Sequence, residues 1–203
     1  MAEPFRPERR RFLQAALAGS GVAALAKPAL AAGSGGDAAV IAAAQAGLQR
    51  AGALVTCADL VGVADFSQPS RVARFHLVDI ANGRIESLLV AHGRGSDPEH
   101  TGWVKTFSNA PGSQATSQGC YLTDQDYVGE HGRSIRLKGL EPSNSNAEAR
   151  AIVVHQAWYV GPDIIRAHGV LGRSEGCFAV SATDLPHVLQ RLGPGRLIVA
   201  RKL

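Results

Sequence analysis

From Val72 to Ile80 polar and apolar side chains alternate, Asn82-Gly83 follows, and a second strand-like run spans Ile85 to Ala91. A period of two places alternate side chains on opposite faces of a strand, and Asn-Gly is a favoured two-residue turn because both residues tolerate positive φ. These residues predict a β-hairpin. Further short strands are expected at Cys120-Tyr121-Leu122, Ser134 to Leu137, Ala151 to Val154 and Leu197 to Ala200. Asp37 is placed to cap a helix over 38–51, with Val40, Ile41, Ala44 and Leu48 on one face. Leu185 to Leu192 reads as a short helix stopped by Gly193-Pro194-Gly195. Leu54 to Val63 is apolar and fits either class, whereas His92 to Thr116 is rich in Gly, Ser, Asn, Asp and Pro and reads as a polar surface loop. With 203 residues, 23 glycines and 5% aromatics, the chain predicts one compact, mainly β domain, a sandwich or barrel with a few short helices.

The first 31 residues read differently. Arg9-Arg10-Arg11-Phe12-Leu13 opens an Ala/Leu/Gly run, and Ala29-Leu30-Ala31 offers small residues for cleavage. The run is too short to span a bilayer stably, and paired arginines before Phe-Leu resemble a twin-arginine export signal. The expected organisation is a leader over 1–31, a linker (Gly33-Ser34-Gly35-Gly36) and helical segment over 32–63, and a main, mostly β domain over 64–203. A periplasmic location without stable membrane insertion follows from that reading. The leader holds five basic against two acidic side chains, so residues 32–203 are nearly neutral, with 16 against 15. No basic stripe remains for a nucleic-acid backbone.

Outside the leader stand Cys57, Cys120 and Cys177. An odd number in an oxidising compartment leaves at least one thiol unpaired, and a Cys57–Cys120 disulfide is allowed but not specified. Cys177 ends Gly172-Arg173-Ser174-Glu175-Gly176-Cys177, 22 positions after His155 at the end of Ile152-Val153-Val154. A cysteine in a glycine-rich turn downstream of a strand-terminal histidine fits a thiol nucleophile and its base, although cysteine is also a common inert core residue. His168 is a rival base. No His-x-x-x-His or Cys-x-x-Cys pair occurs, so neither a metal nor another cofactor is expected.

Several runs occur together in order: Asp65-Phe66-Ser67-Gln68-Pro69-Ser70, Val90-Ala91-His92-Gly93-Arg94-Gly95-Ser96, Phe107-Ser108-Asn109, Tyr127-Val128-Gly129-Glu130-His131-Gly132, Leu137-Lys138-Gly139-Leu140-Glu141, Val153-Val154-His155 and Gly172 to Cys177. Over about two-thirds of the chain this series resembles the murein L,D-transpeptidase catalytic domain, in a divergent branch related to the YkuD-type enzymes. The resemblance implies peptidoglycan stem peptides as partners. Cys177 would attack the amide after the third stem residue, D-alanine would leave, and an amine or water would take the acyl group.

The resemblance also implies His155 as general base, oriented by the backbone carbonyl of Gln156, where the family usually has glycine. Backbone N–H groups of Gly176 and Cys177 are the expected oxyanion donors. Arg173 either binds a substrate carboxylate or pins its loop, and Ser174 bonds within that loop. His168, His92 and His131 are further candidates for the cleft. Trp103 and Trp158 are candidates for stacking on substrate, with core packing the expected place of Trp158. Cys120 reads as a structural substitution. Glu175 and Gln156 keep open a non-catalytic wall-binding protein of the same fold. A sortase-like or other thiol peptidase fits Ser-Glu-Gly-Cys poorly.

Overall fold

The computed structural model describes residues 35–203. The expected leader and the start of the linker lie outside them. Helix α1 (Gly35–Ala51) begins earlier than the Asp37 cap implies, so Gly35 and Gly36 belong to the helix. The strands are β1 (Leu60–Asp65), β2 (Phe75–Asp79), β3 (Arg84–Leu88), β4 (Gly119–Gly129), β5 (Gly132–Gly139), β6 (Val153–Gln156), β7 (Phe178–Val180) and β8 (Leu197–Arg201). Helices α2 (Pro162–His168) and α3 (Leu185–Arg191) are the other α-helices among the described residues. All eight strands form one mixed sheet in the order β3-β2-β1-β8-β4-β5-β6-β7. β1 runs parallel to β8 and β6 to β7, while the remaining pairs are antiparallel. The chain is mainly β, as its alternation implies, and the sheet does not close on itself: β3 and β7 are its edges.

Side-chain alternation explains why helices cover both faces. In β8, Leu197 and Val199 join Val61, Val63 and Cys120 beneath α1, while Ile198 and Ala200 face the core shared with Leu185, Val188 and Leu189 of α3. The central strand β1 is buried along its whole length, which is why its sequence lacks a polar alternation. Alanine and glycine on α1 allow a close approach. A Cβ at Gly47 would stand 2.5 Å from Val199 Cγ2. The boundary expected at residue 64 therefore falls inside a core strand, and residues 35–63 share the domain's packing.

Three local expectations need correction. The β2–β3 hairpin forms, but its loop spans residues 80–83, because Asp79 pairs with Arg84 and the Asp79 carboxylate accepts the N–H groups of Ala81 and Asn82. Gly83 supplies the positive φ of 62°. The segment from His92 to Thr116 is not simply a surface loop, since His92, Ser96, Asp97 and Thr116 are buried. It satisfies itself internally: Asp97 accepts from Thr101 and Gly102, Ser96 Oγ from the Thr116 N–H, and Thr116 Oγ1 from the Gly93 N–H. Trp158 is 84% exposed rather than in the core. It lies just past the end of β6, beyond the apolar pattern that buries Val153 and Val154.

Candidate active site

Strand pairing brings the cysteine and histidine together. β6 and β7 are parallel neighbours with Val154 opposite Phe178, so His155 at the end of β6 and Cys177 just before β7 sit on adjacent strands. Both are largely buried, at 3% and 9% exposure, yet both line one cleft of about 680 Å³.

His155 Nδ1 lies 2.7 Å from the carbonyl oxygen of Gln156. A carbonyl only accepts, so the ring proton is on Nδ1 and Nε2 keeps its lone pair. Burial holds the His155 pKa below its ordinary value; the Gln156 carbonyl opposes this, and His131 adds to it. The His131 ring, carried on the two-residue turn between β4 and β5, stacks on His155 with centroids 4.3 Å apart.

The Cys177 thiol donates to Ala151 O at 3.5 Å. Burial pushes its pKa up, while the Val153 N–H and the Arg150 guanidinium favour the thiolate and Glu175 opposes it. Both shifts favour a neutral thiol beside a neutral imidazole over an ion pair.

The loop before Cys177 is built around Ser174. Its hydroxyl donates to Cys177 O at 2.7 Å and accepts the Gly176 N–H at 3.2 Å. The Gly176 N–H, expected to face a reacting carbonyl, is thus held by Ser174 in the free protein. Gly176 adopts φ 121°, a region that favours glycine. Arg173 pins the loop by donating to Asp97 O and, at 3.0 Å, to Pro98 O, though it also borders the cleft.

Two predicted candidates lie elsewhere. His168 is exposed at the end of α2, where Gly169 caps the helix in the left-handed region, and it does not line the cleft. His92 is buried beneath the site rather than in it. The Arg74 guanidinium donates to His92 Nδ1 at 2.7 Å, and Asp97 Oδ2 lies 3.4 Å from Nε2. The backbone carbonyl of His92 accepts the Ser174 N–H, so this buried group supports the cysteine loop from below.

Arg94 and Arg150 were not singled out by the sequence, yet both border the cleft. Arg150 donates to Ser108 O at 2.8 Å and to Ala115 O at 2.5 Å. Gln156 and Trp158 line a second hollow of about 580 Å³ that shares His131, His155 and Tyr159 with the cleft. Cys57, Cys120 and Cys177 are all free thiols; Cys120 is packed beneath α1, where burial raises its pKa to about 11. Among the described residues no group of three or more His, Cys, Asp or Glu side chains is placed to hold a metal ion.

A family model described as the L,D-transpeptidase catalytic domain matches residues 35–200. The chain belongs to that family. No curated protein matches its sequence. Among solved structures, an L,D-transpeptidase from Mycobacterium tuberculosis H37Rv is 18% identical, with a TM-score of 0.45 and coverage of 71% of this chain and 58% of that one. L,D-transpeptidase 3 from Mycobacterium tuberculosis is 17% identical, with a TM-score of 0.45 and coverage of 71% and 61%. The L,D-transpeptidase from Xylanimonas cellulosilytica is 14% identical, with a TM-score of 0.43 and coverage of 70% and 60%. The matched region spans about three-fifths of the length of these chains. Within the L,D-transpeptidase domain, the match to the family model takes in α1 as well as the sheet, in keeping with their shared core.

Proposed function

We propose that this L,D-transpeptidase domain transfers acyl groups between peptidoglycan stem peptides outside the cytoplasmic membrane, with Cys177 as nucleophile and His155 as base. The observation that carries the reading is the His155 tautomer: Nδ1–H is committed to Gln156 O, which leaves Nε2 basic in the cleft shared with Cys177. Nε2 accepts the thiol proton as the Cys177 sulfur bonds to the stem carbonyl carbon. The developing oxyanion rests on the Cys177 N–H, with the Gly176 N–H joining if Ser174 releases it. Collapse breaks the carbon–nitrogen bond, and the proton passes from His155 to the departing D-alanine amine. An amine of a second stem, or water, then attacks the thioester and restores the thiol. These two outcomes are transpeptidation and carboxypeptidation.

An exported leader over 1–31 accounts for the location, and among the described residues no helix is long and apolar enough to cross a membrane. The test is to mix the purified protein with a carbapenem and with a tetrapeptide stem. A mass adduct at Cys177 and released D-alanine are expected, both lost in Cys177→Ala. A folded parent that yields neither would leave the non-catalytic wall-binding reading.

A further inference from the structure

Three arginines border the cleft, and the protein holds them in two different ways. Arg150 and Arg173 donate to main-chain carbonyls of Ser108, Ala115, Asp97 and Pro98. Those bonds tie Arg150, through Nη1 and Nη2, and Arg173, through Nη1, to the main chain of the walls. Arg94 is bound only by side chains: Nε donates to Gln114 Oε1 at 2.8 Å and Nη2 to Glu175 Oε1 at 2.5 Å.

The root of Arg94 is rigid. Its N–H donates to Ser174 O at 2.8 Å, and Gly93 bridges to Ser174 in the manner of a strand pair. The tip is open, with the Arg94 and Glu175 side chains 49% and 68% exposed. Glu175 stands two residues before Cys177, so a carboxylate already rests on a guanidinium at the mouth of the nucleophile's cleft. An exposed ion pair contributes little net stability in water, so a ligand carboxylate can take the place of Glu175. The planar guanidinium fork is well matched to a carboxylate.

We propose that Arg94 is the receptor for a free carboxylate of the stem peptide, and that Glu175 is the protein's own occupant of that receptor, displaced when substrate binds. The inference rests on the stem-peptide reading of the cleft. The two stem carboxylates nearest the scissile amide have the required chemistry, that of the terminal D-alanine and that on the side chain of a diamino acid at the third position.

Calorimetric titration of Cys177→Ala with three synthetic tetrapeptides tests it: the free acid, its C-terminal carboxamide, and the carboxamide of the third side chain. One of the two amides should bind about tenfold more weakly than the free acid, and which one identifies the carboxylate. Adding Arg94→Gln should remove that discrimination, and Arg94→Lys, which keeps the charge but not the fork, should retain part of it. Adding Glu175→Gln should tighten binding of the free acid severalfold. Discrimination that survives Arg94→Gln, or weaker binding in Glu175→Gln, overturns the proposal, as does failure of every peptide to bind. Arg94-dependent preference without D-alanine release by the parent sinks the transferase reading and leaves the receptor standing. Release at equal kcat/KM from all three peptides, with no preference in binding, does the reverse.

Discussion

The imidazole of His131 lies against that of His155, with ring planes 25° from parallel and centroids 4.3 Å apart. One ring comes from the turn between β4 and β5 and the other from the end of β6, and the pairing of Ser134 with His155 sets their separation. The contact covers one face of His155 with a second imidazole.

Loss of His131 should therefore raise the pKa of His155, which burial and His131 both lower. His131→Phe keeps a stacked ring without its nitrogens, whereas His131→Ala also admits water. In both variants the acid limb of the kcat/KM profile for D-alanine release should move to higher pH, further in His131→Ala. An acid limb that stays in place in both would show that the stack does not tune the base.

Cys177 should behave as a protonated thiol in the free protein, because burial, the largest influence, raises its pKa. Alkylation by iodoacetamide, mapped to Cys177 by mass, is expected to keep accelerating at about pH 9, above the usual thiol value of about 8.5. A rate that levels off below about pH 7 would instead indicate a thiolate–imidazolium pair.

His92 should make the fold acid-sensitive. Burial, and next the Arg74 guanidinium, push its pKa down to about 3. An unfolded histidine takes a proton near about 6.5, so between that pH and about 3 the unfolded chain binds the extra proton and stability falls as pH drops, by up to ~1.4 kcal/mol per unit. His92→Asn keeps an acceptor for Arg74 without a titrating ring. Its melting temperature should be lower than the parent's at about pH 7 but should lose less on going to about pH 4.5. Equal losses in the two proteins would assign the acid sensitivity to other groups.

Gly93 should not tolerate even alanine. Its φ of −70° is ordinary, so the obstacle is space: a Cβ would stand 2.4 Å from Gln114 O and 2.8 Å from Gly176 Cα. Neither neighbour is a flexible side-chain end. Gly93→Ala should push the cysteine loop away from its wall and lower kcat/KM by roughly 10²-fold, with circular dichroism unchanged. Full activity in that variant would mean the loop has slack that the packing does not show.

The sequence carried the strands whose burial is one-sided, and the β2–β3 hairpin was readable because its two faces differ. His155 and Cys177 were legible for a related reason: an apolar run ending in histidine and a glycine-rich turn ending in cysteine are local patterns. What escaped depends on contacts between distant segments. The His131–His155 stack follows from strand register, and the burial of His92 and Asp97 follows from Arg74 arriving from another strand end. Helix α2 has no fully buried residue, and its seven residues place only Ile165 against a core cluster, too short a stripe to read; Pro162 at its start and Gly169 at its end were its clearest marks. Arg150 lies in a stretch with no motif, and only its bonds to Ser108 and Ala115 reveal its place.

The pairing of β1 with β8 sets the order in which the domain can assemble. Val61 meets Leu197 and Val63 meets Val199 at the middle of the sheet, across about 135 residues of intervening chain. Until that long loop closes, the β1–β2–β3 meander and the β4-to-β7 half have no common strand between them, and β1 and β4 each present an unpaired edge. Assembly should be slow for a domain of this size, and a nascent chain lacking its last strand should stay vulnerable to self-association.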